Sequence, residues 1–151
     1  MRMTLALLLA ASALVACGDG GATSQGANTS GGVSEVFGQD DVRGYSMAAT
    51  YGGLVWTAGH LPESASPGDS IEVQTEAVMD DLEATLAEAG AGFDTVVMTN
   101  VYLADFDDWP EFNETYKRYF DGRLPPRVTV EVASLAFGLI EISMVAHVRE
   151  D

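Results

Sequence analysis

Apolar and polar residues alternate with a period of two along two stretches near the end of the chain. From Arg127 onward, Val128, Val130 and Val132 take one side, and Arg127, Thr129 and Glu131 take the other. Further on, Ile140, Ile142, Met144, Ala146 and Val148 share one side, against Glu141, Ser143 and His147. Successive strand side chains point to opposite faces, so both stretches predict strands with one apolar face. If these strands pair or lie close, Arg127 and Glu141 face one space between them.

The rest of the chain supplies the partners. Residues 42–59 predict two strands around Tyr51-Gly52-Gly53, a hairpin turn in which glycine accepts positive φ without strain. A polar loop, Glu63 to Gly68, leads to a helix that Asp69 and Glu72 open as a capping box and Gly90 closes. Its buried stripe is Ile71, Val78, Leu82, Leu86 and Ala89. Glu72, Glu76, Asp80 and Glu83 form a second stripe, read as a solvated face because the helix contains no Lys or Arg. Thr95 to Leu103, β-branched and apolar on both sides, predicts an interior strand. Asp108 and Glu111 repeat the capping box for a second helix, with Pro110 in its first turn and Phe112, Tyr116, Tyr119 and Phe120 as core aromatics. Asp121-Gly122 ends that helix, and Leu124-Pro125-Pro126 delivers an extended chain to Arg127. The order is hairpin, helix, strand, helix, strand, strand. It predicts an α+β domain with two helices on one face of a mixed sheet, and other subunits covering the second face.

The N-terminal region reads differently. Residues 1–16 form a signal peptide, with Arg2 before an apolar run from Leu5 to Ala16 that is too short to span a bilayer. The run ends in Leu14-Val15-Ala16-Cys17, which resembles the lipobox of bacterial lipoproteins, making Cys17 the lipid attachment point. Gly18 follows, so an extracytoplasmic, membrane-anchored protein is expected, at the outer membrane if the cell is Gram-negative. Residues 17–32 are then a lipidated cysteine and a Gly/Ser-rich tether with a reach on the order of 20 Å. Residues 33–151 suffice for one compact domain. Cys17 is the sole cysteine, which excludes an intramolecular disulfide.

The net charge of −16 repels phosphate backbones and predicts no nucleic-acid partner. Two histidines, His60 and His147, and no spare cysteine leave no ligand cluster for zinc. His60 reads as a surface loop residue and His147 as structural. Neither a nucleophile elbow nor a phosphate-binding Gly-Lys-Ser loop is present. What remains is Arg127, whose planar fork matches a small carboxylate, and Glu141, which can position or deprotonate a water. An ordinary ion pair involving Arg127 is the competing reading of the same residues.

The residues also carry a resemblance. In order they include Gly44-Tyr45, Val55-Trp56-Thr57-Ala58-Gly59-His60-Leu61-Pro62, Gln74-Thr75, Leu86-Ala87-Glu88-Ala89-Gly90 and Asn113-Glu114-Thr115-Tyr116. Phe120, Pro126-Arg127-Val128-Thr129-Val130-Glu131-Val132 and Ile140-Glu141-Ile142 follow. From about Val42 to Val148 this set resembles the RidA/YjgF family of reactive-intermediate deaminases. The resemblance implies a chorismate-mutase-like fold, a homotrimer, and hydrolysis of 2-imino or enamine acids to 2-oxo acids and ammonia without cofactor or metal. It makes Arg127 the group that grips the substrate carboxylate and Glu141 the group that handles water. Tyr45, Gly59 and Asn113 would line a cleft between subunits. Thr129 stands where many members carry a Cys, and its backbone still reaches substrate. Ala136-Phe137-Gly138 departs from the usual Leu-Pro start of that segment. A non-catalytic binder of small carboxylates and a holdase-like scaffold are the alternatives on the same fold.

Overall fold

The computed structural model describes residues 35–149; the signal peptide, Cys17 and the tether expected from the sequence lie outside the described residues. Six strands form one mixed sheet in the order β1-β2-β3-β6-β4-β5. They are β1 (Glu35–Asp40), β2 (Tyr45–Tyr51), β3 (Leu54–Thr57), β4 (Val96–Leu103), β5 (Arg127–Glu131) and β6 (Ile140–His147). β4 and β5 run parallel and every other neighbouring pair is antiparallel. Two helices, α1 (Ile71–Glu88) and α2 (Trp109–Lys117), complete the fold.

The hairpin forms as expected. Tyr51 pairs with Leu54 across Gly52 and Gly53, whose φ values of 59° and 80° suit a two-residue turn with the twist of the flanking strands. β1 was not foreseen. It is largely exposed, and Gly38 breaks its side-chain alternation, so periodicity carries no signal there. A β-carbon at Gly38 would stand 2.8 Å from Met47 Cγ on the next strand.

Both helices start near where the apolar spacing puts them, but α2 ends at Lys117, so Tyr119 and Phe120 lie in the turn beyond it and not in a helix reaching Asp121-Gly122, and neither expected capping box forms. Ser70 takes the N-cap position of the first helix without a side-chain capping bond, while Asp69 turns back to accept the Ser66 N–H at 2.8 Å. In the second, Asp108 is already helical, and Asp105 accepts the Asp107 N–H at 2.9 Å to open a short 3-10 turn, Phe106–Asp108. The α1 terminus follows expectation: Gly90 takes φ 74°, and the Ala91 N–H reaches back to the Leu86 carbonyl at 2.8 Å.

The core lies between the sheet and the helices. Ile71, Val78, Met79, Leu82 and Leu86 of α1 and Phe112 and Tyr116 of α2 bury against Val55, Val101, Ile140, Ile142 and Met144. Truncating one of these, such as Leu82→Ala, costs about 2–5 kcal/mol. On the opposite side of the sheet no described element packs. Trp56 (50% exposed), Val128 and Val130 stand there in the open. The sequence reading of β5 thus holds for its alternation, but its polar side faces the helices and its valines face out.

Candidate active site

Arg127 opens the edge strand β5 directly opposite Thr99 of β4, a fully buried residue on the helix side. Its guanidinium therefore projects beneath α2. Nη2 donates to Asn113 Oδ1 at 2.8 Å, and Cζ lies 5.0 Å from the Phe112 ring centroid and 4.7 Å from that of Tyr116. The Tyr116 hydroxyl in turn donates to Thr99 Oγ1 at 3.0 Å. Burial is the main cause lowering the pKa of Arg127 from its ordinary value, and burial likewise pushes the Tyr116 phenol up. An arginine nonetheless stays charged at neutral pH.

The partners of this cation are informative. Arg43, Lys117, Arg118 and Arg149 each meet a carboxylate among the described residues. Arg123 and Arg127 meet none there, in a chain carrying 23 acidic residues; Arg123 donates from Nη2 to the backbone carbonyls of Asp94 and Val96, and Arg127 to none. The ion-pair reading of Arg127 is thus not what the structure forms. A half-buried guanidinium is held by one neutral amide and two ring faces, with most of its five donors unspent among the described residues. Thr129, opposite buried Val101, lies two residues further along the same face.

Glu141 belongs to a different region. β6 pairs it with Tyr102, on the side of the sheet away from the helices, while neighbouring Ile140 and Ile142 are buried. Its carboxylate lies against Gly59, where any β-carbon would collide with Oε1. Gly59 is held there by its neighbour: His60 N–H donates to the Ile142 carbonyl at 2.8 Å and Ile142 N–H to the His60 carbonyl at 3.1 Å. Tyr45, at the start of β2, alternates with Ser46 and buried Ala48 and so shares the open face; it is 41% exposed.

One expectation is corrected here. Arg127 and Glu141 do not face one space within a single chain, because β4 separates their strands and the two side chains leave opposite faces of the sheet. Register places them three residues apart along the strands and two strands apart across them, on the order of 14 Å between backbones. The expected site residues thus fall into two groups on one chain: Arg127, Asn113 and Thr129 on the helix side, and Tyr45, Gly59 and Glu141 on the open face.

His60 also departs from expectation. It is buried, with Nδ1 2.6 Å from Asp81 of α1 and no hydrogen-bond partner for Nε2 among the described residues. The bridge to Ile142 draws it inward, a tertiary contact that its loop-like sequence context did not announce. The acidic stripe of α1 is not wholly solvated either, since Arg118 lies 3.6 Å from Glu76 and the Tyr119 hydroxyl donates to Asp80 at 2.9 Å.

Comparison with known proteins gives this arrangement a lineage. Residues 39–148 match the sequence profile described as Endoribonuclease L-PSP. The chain belongs to this family, the RidA/YjgF proteins. A RutC family protein of Saccharolobus solfataricus is 40% identical over 108 residues, covering 68% of this chain and 86% of that protein. The chloroplastic Reactive Intermediate Deaminase A of Arabidopsis thaliana is 37% identical over 107 residues, which is 68% of this chain and 57% of the plant protein. Among solved structures, a YjgF family member from Neisseria meningitidis superposes with a TM-score of 0.69 at 29% identity, covering 78% of this chain and 96% of that one. The mixed sheet backed by two helices is the fold of this family.

Proposed function

We propose that this protein hydrolyses 2-imino or enamine acids to 2-oxo acids and ammonia, in a cleft where one copy of the chain meets another. The observation that carries the reading is Arg127, a half-buried cation oriented by Asn113 and left without a carboxylate among the described residues. A substrate carboxylate completes it with paired N–H···O bonds. The plant relative named a reactive intermediate deaminase supports the same chemistry.

The reaction asks little of the protein. An imine carbon is already electrophilic, so fixing the carboxylate and aligning a water accounts for most of the catalytic task. Glu141 accepts the proton of that water as its oxygen bonds to the carbon. That proton passes to nitrogen to give a carbinolamine; the adduct's hydroxyl proton is then transferred to nitrogen by way of Glu141 as C=O forms and the C–N bond breaks, so that ammonia leaves a 2-oxo acid. Gly59, lacking a side chain, leaves room for the Glu141 carboxylate, while Tyr45 closes the same side and Thr129 flanks Arg127.

Because one chain separates the two groups, the reading requires a homo-oligomer, and a homotrimer is the form we propose. The open sheet face, with Trp56, Val128 and Val130 exposed, is the surface available to bury. Anchoring follows from Leu14-Val15-Ala16-Cys17: we place the domain outside the cytoplasm, held to the membrane through a lipid on Cys17 and a short tether. The description of the matching profile names a nuclease, but a charge of −16 opposes approach to a phosphate backbone.

The test is ammonia release from freshly generated 2-imino acids. Turnover above the spontaneous rate that disappears in Arg127→Ala and in Glu141→Gln, with carboxylate binding kept in Glu141→Gln, is the expected result. Wild-type protein that never exceeds the spontaneous rate would sink the proposal.

A further inference from the structure

Three of the seven basic residues of this acidic chain line one cavity. It measures about 450 Å³, a size suited to a small molecule, and lies where the ends of α1 and α2 meet the start of β4. Arg118 comes from the end of α2, Arg123 from the link to β5, and Arg149 from beyond β6. Arg149 is committed to the fold. Its Nη1 donates to the Ala91 carbonyl at 3.0 Å and its Nη2 to Asp94 Oδ1 at 2.5 Å, and a β-carbon at Gly92 would collide with it. The bond from Arg149 holds the Asp94 carboxyl below its ordinary pKa, and the two charges offset each other.

Arg123 stands apart from that pair. Its Nη2 donates to the carbonyls of Asp94 at 2.7 Å and Val96 at 3.4 Å, and the rest of the guanidinium has no partner among the described residues. Arg118 touches Glu76 only loosely, at 3.6 Å from a largely exposed position. Glu83 and Asp121 line the same cavity and meet no cation among the described residues. Part of the wall is aromatic: the Phe93 ring lies edge-on to Tyr119, centroids 5.7 Å apart, and 5.4 Å from Phe120. Phe120 rests on Tyr116 at 4.8 Å, and Tyr116 in turn on Arg127. Neither Tyr116 nor Arg127 lines the cavity, so two rings stand between it and the proposed carboxylate clamp.

We infer that this cavity is a second ligand site, built for a free α-amino acid with an aromatic or large apolar side chain. A zwitterion matches what the lining leaves unpaired. The fork of Arg123, with Arg118 in the same lining, takes the α-carboxylate, and the carboxylates of Glu83 and Asp121 take the α-ammonium. The side chain covers the Phe93 and Tyr119 rings. An acid without an amine brings a like charge to Glu83 and Asp121, and an amine without an acid brings one to Arg123.

Equilibrium titration of the full-length protein with L-phenylalanine tests this, against 3-phenylpropanoate, which lacks the amine, and phenethylamine, which lacks the carboxylate. L-Phenylalanine should bind at one site per chain, at least about ten-fold tighter than either analogue, the discrimination that one lost charge-assisted bond gives. Arg123→Gln should weaken L-phenylalanine and narrow its advantage over phenethylamine. Glu83→Gln with Asp121→Asn should weaken it and narrow its advantage over 3-phenylpropanoate. Neither of these acidic side chains makes a bond among the described residues, so this variant carries the test even if Arg123→Gln loosens its loop. Arg127→Ala should leave L-phenylalanine affinity unchanged while pyruvate binding is lost. The site is overturned if wild type binds L-phenylalanine no tighter than the analogues, or if the advantage over 3-phenylpropanoate survives the double substitution. L-Phenylalanine binding that disappears in Arg127→Ala moves the amino acid to the Arg127 cleft and overturns the cavity alone. Pyruvate binding that survives in Arg127→Ala overturns the clamp and leaves the cavity standing.

Discussion

Arg127 and Glu141 leave opposite faces of one sheet, from strands that β4 holds apart. A site using both must draw them from different copies. This has a test that needs no structure of the oligomer. Arg127→Ala and Glu141→Gln, each inactive alone, should regain activity when co-expressed or refolded together, because some interfaces then pair an intact Arg127 with an intact Glu141. For random mixing of equal amounts the expected recovery is about a quarter of wild type. No recovery in demonstrated mixed oligomers would place both residues in one chain's site.

Gly59 owes its identity to Glu141 and not to its own backbone. Its φ is not in the positive region, yet a methyl group there collides with the carboxylate. Gly59→Ala should therefore turn Glu141 aside, lowering kcat by on the order of 100-fold, the cost of misplacing a reacting group by about 1 Å. Ligand binding at Arg127 should be kept, and a kcat equal to wild type would contradict the contact.

Asn113 spends one hydrogen bond on orienting a cation. Its loss in Asn113→Ala leaves the guanidinium held by the Phe112 and Tyr116 rings alone. A bond to a charged group is worth about 1.5–3 kcal/mol, so KM should rise on the order of ten-fold or more with a smaller change in kcat. Steady-state kinetics on a single imino acid separate the two parameters.

The alkaline limb of stability should depend on Tyr119 and Tyr116. Burial is the first cause raising both phenols above their ordinary value of 10.0, and for Tyr119 the neighbouring Asp80 adds to it. Above that value the unfolded chain ionises these phenols while the folded chain keeps them protonated, so the unfolded state is favoured as pH rises. Stability should hold below about pH 10 and fall above it. Tyr119→Phe should flatten that fall in thermal melts across the alkaline range, and an unchanged slope would show that Tyr119 is not held protonated.

Lipidation has a direct readout. Intact mass of the mature protein should correspond to a chain beginning at an acylated Cys17; an unmodified Cys17 would remove the anchor from this account.

Much of the fold could be read from local pattern. The spacing of Ile71, Val78, Leu82 and Leu86 fixes a helix with one buried face, Gly52-Gly53 fixes a hairpin, and the alternation through β5 and β6 fixes which residues share a side. Those signals are periodic, and periodicity is a property of the chain by itself. The residues that carry the proposed chemistry were also legible, through their types and through the family resemblance. The sequence does not determine which side of a strand becomes the covered one, since that depends on where the neighbouring helices land. The alternation put Val128 and Val130 on one side and Arg127 on the other without saying which is covered; the valines stand open, whereas Arg127 lies under α2. Nor does it determine caps, because Asp69 turns to the Ser66 N–H and Asp105 opens a 3-10 turn that leaves Asp108 already helical. His60, placed in a loop by its neighbours, became a buried partner of Asp81 through pairing with a strand more than 80 residues away. The separation of Arg127 from Glu141 was decided in the same way, by β4 inserting between two strands that follow each other in sequence.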